Sequence, residues 1–148
     1  MKKIYRFIFY PFGKKTLLIK SLILLWMIRV CLWVFPFKSL NKWLSYLYPA
    51  TQSGEKTNWE IIGNVSDSVR AVSKYVPYAS CLTQALAVRT LLNLRGQDSN
   101  LRIGVDKDAA EDFSAHAWIE IDGRIIIGKL PRHHQRFAVL NPSDSVVI

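Results

Sequence analysis

Only two of the 148 residues are cysteine, Cys31 and Cys81. Two thiols cannot build the disulfide framework that holds small secreted domains together. Both are expected to be free, in a reducing compartment. Acid is missing too, but only from one end. Residues 1–48 carry nine Lys and Arg and no Asp or Glu, whereas residues 49–148 carry eleven basic and eleven acidic groups. The net charge of +9 therefore belongs to the N-terminal segment alone. Such asymmetry in an otherwise apolar stretch points to an anionic membrane surface or an acidic peptide before it points to DNA. No helix-turn-helix, zinc-finger or RNA-binding signature is present, so no nucleic-acid partner is expected. Nor is there an internal repeat, a phosphate-binding glycine loop or a dinucleotide fingerprint. His133 and His134 lack a nearby cysteine and any ligand spacing, and read as a solvated loop. No metal and no cofactor are expected.

A long charge-free hydrophobic run is also lacking. A membrane span needs about 20 apolar residues, and the run from Thr16 to Phe37 is broken by Lys20 and Arg29. No Ala-x-Ala follows it, which speaks against a cleaved signal peptide. Lys20 and Arg29 are nine residues apart, which places them on opposite sides of a helix at about 100° per residue. The segment is expected to lie on a membrane or dock on a partner at least as readily as to span. Trp26, Trp33 and Trp43 suit either a headgroup-level surface or a protein interface. The location is read as cytoplasmic, with residues 1–48 as the contact to the inner face of the membrane.

The chain divides into an apolar, basic helical segment, 1–50, and a second part, 51–148. Breaks fall at Pro11-Phe12-Gly13 and Phe35-Pro36-Phe37, and Thr51 to Lys56 reads as a loop. Ile61, Ile62, Val65, Val69 and Val72 recur at helical spacing and predict a helix over Trp59–Tyr75, ended by Pro77. Residues 81–95 predict a second helix, with Ser80 as N-cap and Gly96 as stop. Leu101–Val105, Ala115–Ile121, Arg124–Gly128 and Phe137–Leu140 read as strands. Asp122-Gly123 is the favoured turn of a two-residue hairpin. Asp106 to Asp112 reads as a charged loop. The class is α+β.

Within this frame Cys81 opens a helix. A thiol there meets the positive end of the helix dipole and unpaired backbone N–H groups. Both stabilise negative charge on sulfur, and the thiolate is the nucleophile. His116 sits on a later strand, where it can take the thiol proton and return one to a leaving amine. That pairing points to acyl transfer or peptide cleavage. The plainer alternatives are a buried small thiol and a core histidine bonded to backbone. Trp118 shares the His116 face of the strand, and either shields the pair from water or fills core. Gln84, one turn into the helix, is either a donor to the oxyanion or a surface residue. Cys31, in an apolar run, reads as a small hydrophobe.

A Cys on a helix followed by a His on a strand resembles the papain and transglutaminase arrangement. Cys81-Leu82-x-x-Ala85-Leu86, then Gly96, then Leu101-Arg102-Ile103-Gly104-Val105, then Ala115-His116-Ala117-Trp118-Ile119-Glu120-x-Asp122-Gly123 resembles more closely the lasso-peptide leader peptidases. These are the transglutaminase-like B proteins of lasso-peptide biosynthesis, in the short form without a leader-binding domain of its own. The resemblance covers about residues 78–140. It implies a Cys at a helix N-terminus packed on an antiparallel sheet. The implied activity is a cysteine protease that removes the leader from a ribosomally made precursor peptide through an acyl-enzyme. The implied partners are a separate leader-binding protein and an ATP-using macrolactam synthetase. It assigns Cys81 as nucleophile and His116 as general base and acid. A non-catalytic scaffold of the maturation complex and an amide-transferring enzyme are the alternatives.

The family triad has an acid on the strand after the His. If Asp122 and Gly123 are the turn, residue 121 faces 124, 118 faces 127 and 116 faces 129. Lys129 then stands opposite His116, and Lys accepts no hydrogen bond. Asp122 lies six residues beyond His116, about 20 Å along an extended strand, and fits better as a turn residue. Asp144, or Asn141, could fold back instead. Three outcomes stay open: an orienter among Asp122, Asp144 and Asn141, a Cys–His dyad without one, or a protein that has lost activity.

Overall fold

The computed structural model describes residues 12–47, 56–106, 115–128 and 137–140. Among these residues four helices come first. Helix α1 (Phe12–Val34) is separated from α2 (Phe37–Leu47) by Phe35-Pro36. Proline has no N–H to continue a helix. Phe35 N–H closes α1 on Cys31 O at 2.7 Å, and Pro36 O opens α2 by accepting from Ser39 and Leu40 N–H at 3.1 and 3.2 Å.

Helix α3 (Trp59–Ser73) starts at Asn58, whose side chain accepts from the Glu60 and Ile61 N–H groups. It buries Ile62, Val65, Val69 and Val72, the stripe that the periodicity marks out. Helix α4 (Cys81–Asn93) has Ser80 as its N-cap. Its other end winds off at Gly96, with φ +68°. Gly96 N–H reaches Asn93 O at 3.1 Å and Gln97 N–H reaches Leu92 O at 3.0 Å, the double bond of a Schellman ending. The Gln97 side chain then accepts from Asn58 N–H at 2.8 Å, tying the end of α4 to the start of α3.

Strands β1 (Asn100–Asp106), β2 (Ala115–Ile121), β3 (Arg124–Ile127) and β4 (Phe137–Leu140) follow. They form one sheet in the order β3-β2-β1-β4, with antiparallel pairing throughout. At the hairpin tip Asp122 has φ +47° and Gly123 φ +73°. Two successive positive φ values are what a two-residue hairpin turn of matching twist needs. Ile121 pairs with Arg124 and Glu120 with Ile125, as that turn dictates.

The register expected beyond that point is corrected by the structure. Ile127 pairs with Ile119, not with Trp118, because a bulge at Ile119/Glu120 inserts one extra residue on β3. The expected facing of His116 and Lys129 lies outside the described residues. Ile125-Ile126-Ile127 supplies no alternation of polar and apolar residues, so nothing in the sequence opposes a shift by one.

The α+β class and the Cys-bearing helix packed on an antiparallel sheet are present. The core is one cluster: Leu86, Val88 and Leu92 from α4, Val65 and Val69 from α3, Ile119 and Ile121 from β2. Leu17, Leu25 and Ile28 of α1 and Leu40 of α2 belong to the same cluster. Helix α1 packs along both α3 and α4. Arg89 of α4 donates to Asn41 Oδ1 of α2 at 3.0 Å, and burial pushes its guanidinium below the ordinary arginine range.

Candidate active site

Cys81 is the first residue of α4. Ser80 Oγ accepts from Thr83 N–H at 3.3 Å, and Ser80 O accepts from Gln84 N–H at 3.0 Å. The N–H groups of Cys81 and Leu82 have no acceptor among the described residues. The thiol thus sits where a helix concentrates unspent donors and positive potential. The chain reaches this point through Tyr78, which holds φ +57° with its ring beneath the Arg29 guanidinium of α1 at 5.7 Å. Gln84 donates its amide to Ala79 O at 3.1 Å. That bond fastens the residue two before Cys81 to the first turn of its helix.

His116 lies near the start of β2, opposite Gly104 of β1. No side chain comes from that partner position. On the other edge, His116 Nε2 lies 2.5 Å from Gly128 O. A carbonyl oxygen only accepts, so Nε2 carries the hydrogen. The lone pair of the neutral ring is then on Nδ1. The backbone bond expected of a core histidine is present, and the same ring borders the cleft that Cys81 lines.

Gly128 is fitted to this task. Its φ is +87°, and a Cβ there would stand 2.5 Å from Ala117 O and 2.9 Å from Trp118 Cβ. Only glycine lets β3 leave the bulge so close to β2 and turn its carbonyl to the imidazole. Helix α3 holds the same bend, because Arg70 Nη2 donates to the carbonyl of Ile126, the extra residue of the bulge. Arg70 also lies 3.8 Å from Asp67, an exposed pair of the kind that contributes little. Trp118 is buried and stacks on His116, ring centroids 6.1 Å apart and 22° from parallel.

These groups converge. Cys81, Gln84, His116, Arg70, Ile127 and Gly128 line one open cleft of ≈ 500 Å³. Cys81 and His116, Gln84 among the candidate oxyanion donors, and Trp118 against the ring are thereby placed together. Asp122 is not. It is the turn residue at the far end of β2, and its Oδ2 accepts from Thr57 Oγ1 at 2.8 Å. Asp144, Asn141, His133 and His134 lie outside the described residues. Sequence reading missed Gly128 and Arg70. A glycine directly after an aliphatic strand was a visible signal of close backbone approach; nothing in the pattern around Arg70 marks it.

The model of a family described as the transglutaminase-like superfamily matches residues 25–141, which takes in the second half of α1, both halves of the cleft and the whole sheet. A stretch of 48 residues is 38% identical to the microcin J25-processing protein McjB of Escherichia coli. That match covers 32% of this chain and 22% of the relative. No solved structure matches the chain significantly.

Proposed function

The chain belongs to the transglutaminase-like superfamily, and from that premise we propose that it is a cytoplasmic cysteine peptidase that removes the leader from a lasso-peptide precursor. The observation that carries this reading is the cleft shared by Cys81 and His116, with the imidazole held at Nε2 by Gly128 O. The similarity to a microcin J25-processing protein supports the class of substrate. The peptidase would act with a separate leader-binding protein and a macrolactam synthetase that closes the ring.

The chemistry follows from the placement of the groups. His116 Nδ1 takes the proton of Cys81, and the sulfur attacks the scissile carbonyl carbon. The negative charge that develops on the carbonyl oxygen falls to the Cys81 N–H at the start of α4 and to a further donor; the candidate is the second amide hydrogen of Gln84, whose first goes to Ala79 O. The tetrahedral intermediate collapses to a thioester as His116 gives its proton to the leaving amine. Water, deprotonated by the same imidazole, then releases the leader and restores the thiol. Through both halves Nε2–H stays bonded to Gly128 O. That bond fixes the tautomer and the ring plane, the part played by a side-chain amide oxygen in Cys-His-Asn enzymes.

The test is cleavage of the precursor, followed by mass spectrometry, with the leader-binding protein added. Wild type is expected to release the leader, and Cys81→Ala to lose on the order of 10³-fold or more in turnover. Equal cleavage by both proteins would remove Cys81 from the mechanism. Cleavage by neither, with the chain folded and bound to its partner, would favour a scaffold.

A further inference from the structure

Helix α1 presents two different faces. Leu17, Ser21, Leu25 and Ile28 are buried against the domain. Ile19, Ile23, Trp26, Val30, Trp33 and Val34 are between 45 and 84% exposed. At about 100° per residue these six fall in one arc of the helix, facing away from the buried stripe. A soluble monomer rarely leaves so continuous an apolar strip in water. Lys20 and Arg29, which looked misplaced for a single polar stripe, flank the arc on either side. Helix α2 repeats the arrangement on a smaller scale. Trp43 and Tyr46 are 55 and 85% exposed, with Lys38 and Lys42 beside them on the exposed side. The two helices meet at an apolar cleft of ≈ 380 Å³ lined by Cys31, Phe35, Ser39, Leu40 and Trp43.

We propose that α1 and α2 form a docking face for an anionic lipid bilayer, lying in the plane of its headgroups, with the cleft at their elbow open to an acyl chain. Charge complementarity selects this occupant. The first 48 residues hold nine cations and no acid, and the rest of the chain is electrically balanced. Lys20, Lys38 and Lys42 are paired with no carboxylate among the described residues. Tryptophans beside lysines suit the headgroup level, where a ring has an apolar body and a polar edge.

Length and composition alone would let α1 cross a membrane. Packing argues against a span. The stripe from Leu17 to Ile28 is part of the domain core, so a spanning α1 would draw α3 into hydrocarbon with its exposed Glu60, Asp67, Arg70 and Lys74, which is costly. An in-plane helix keeps its inner stripe on the domain and gives its outer arc to lipid. This inference stands apart from the peptidase reading, and its test uses no substrate.

The experiment is flotation of the full chain with vesicles of phosphatidylcholine alone and with about a third phosphatidylglycerol. Binding about tenfold stronger to the anionic vesicles is expected, weakened by salt. Trp26→Glu with Val30→Glu should cut it by about tenfold or more and leave the melting temperature within about 2 °C. An alkaline carbonate wash should release the bound protein. Several results would overturn the proposal: no vesicle binding, with or without a dimer or a protein complex formed through this face; equal binding to both vesicles; indifference to the two glutamates; or protein that resists the wash, as a spanning helix does.

Discussion

An oxygen that belongs to no side chain lies within hydrogen-bond reach of His116. The Gly128 carbonyl reaches Nε2 because the backbone takes φ +87° against Ala117 and Trp118, where a methyl group has no room. Gly128→Ala should therefore act on the imidazole without touching Cys81. The strained φ and the clash are expected to cost about 1–3 kcal/mol in stability. Turnover should fall about tenfold to a hundredfold as the ring loses its anchor, with KM little changed. The rate of Cys81 alkylation at a fixed pH, read at a temperature where the variant is fully folded, would fall as well. Asp122→Ala is the matched control. It removes the Thr57 bond and costs about 1 kcal/mol, and turnover should stay within about twofold. A large loss of kcat in Asp122→Ala, with none in Gly128→Ala, would return the orienting role to a carboxylate. Cys81 and His116 were legible because their side chains carry their chemistry in the sequence. The Gly128 oxygen was not, since every residue has a carbonyl and only the bulge selects this one.

At the scale of elements, the readable ones are those with local punctuation. Ser80 and Gly96 bracket α4, and Asp122-Gly123 closes the hairpin, because each residue type answers a specific backbone need. The bulge on β3 was invisible: three isoleucines in a row look the same in either register. The inner stripe of α1 was invisible for a related reason. A helix apolar on every side gives no contrast between core and surface. One residue in it reveals the packing once the structure is known. Ser21 is fully buried, and its Oγ has no hydrogen-bond partner among the described residues. A small side chain admits α1 closely to its neighbours, and the hydroxyl adds only desolvation. Ser21→Ala should therefore stabilise the protein by about 1 kcal/mol, raising the melting temperature by about 2–4 °C. Leu25→Ala, at a fully buried position in the same stripe, should cost about 2–5 kcal/mol. Calorimetry on the two variants checks both signs. A destabilised Ser21→Ala would mean that the hydroxyl has a bonding role.

At the scale of the whole molecule, charge and core divide the chain differently. The charge boundary falls near residue 48, because every acid lies after it. The core has no boundary there: Leu17, Leu25, Ile28 and Leu40 belong to the cluster that holds α3, α4 and the sheet, and the family match already begins at residue 25. Charges sit on surfaces, so a change in surface composition need not coincide with the edge of a folding unit. The energetic consequence is large. Burying a large aliphatic side chain contributes about 1.5–3 kcal/mol, so these four leucine and isoleucine positions together contribute as much as the roughly 5–15 kcal/mol net stability of an entire domain. Their removal also bares the facing sides of α3 and α4. A fragment of residues 51–148 is therefore expected to lose cooperative melting and to bind a hydrophobic dye, as loosely packed states do. A chain started at residue 12 should melt cooperatively. Should the fragment of residues 51–148 melt as sharply as the full chain, α1 would be an appendage, and its inner stripe a second docking face rather than core. Loss of cooperativity would instead mean that α1 also holds up the helices beneath the cleft, so that its exposed apolar arc and the cleft of Cys81 and His116 are parts of one folded body.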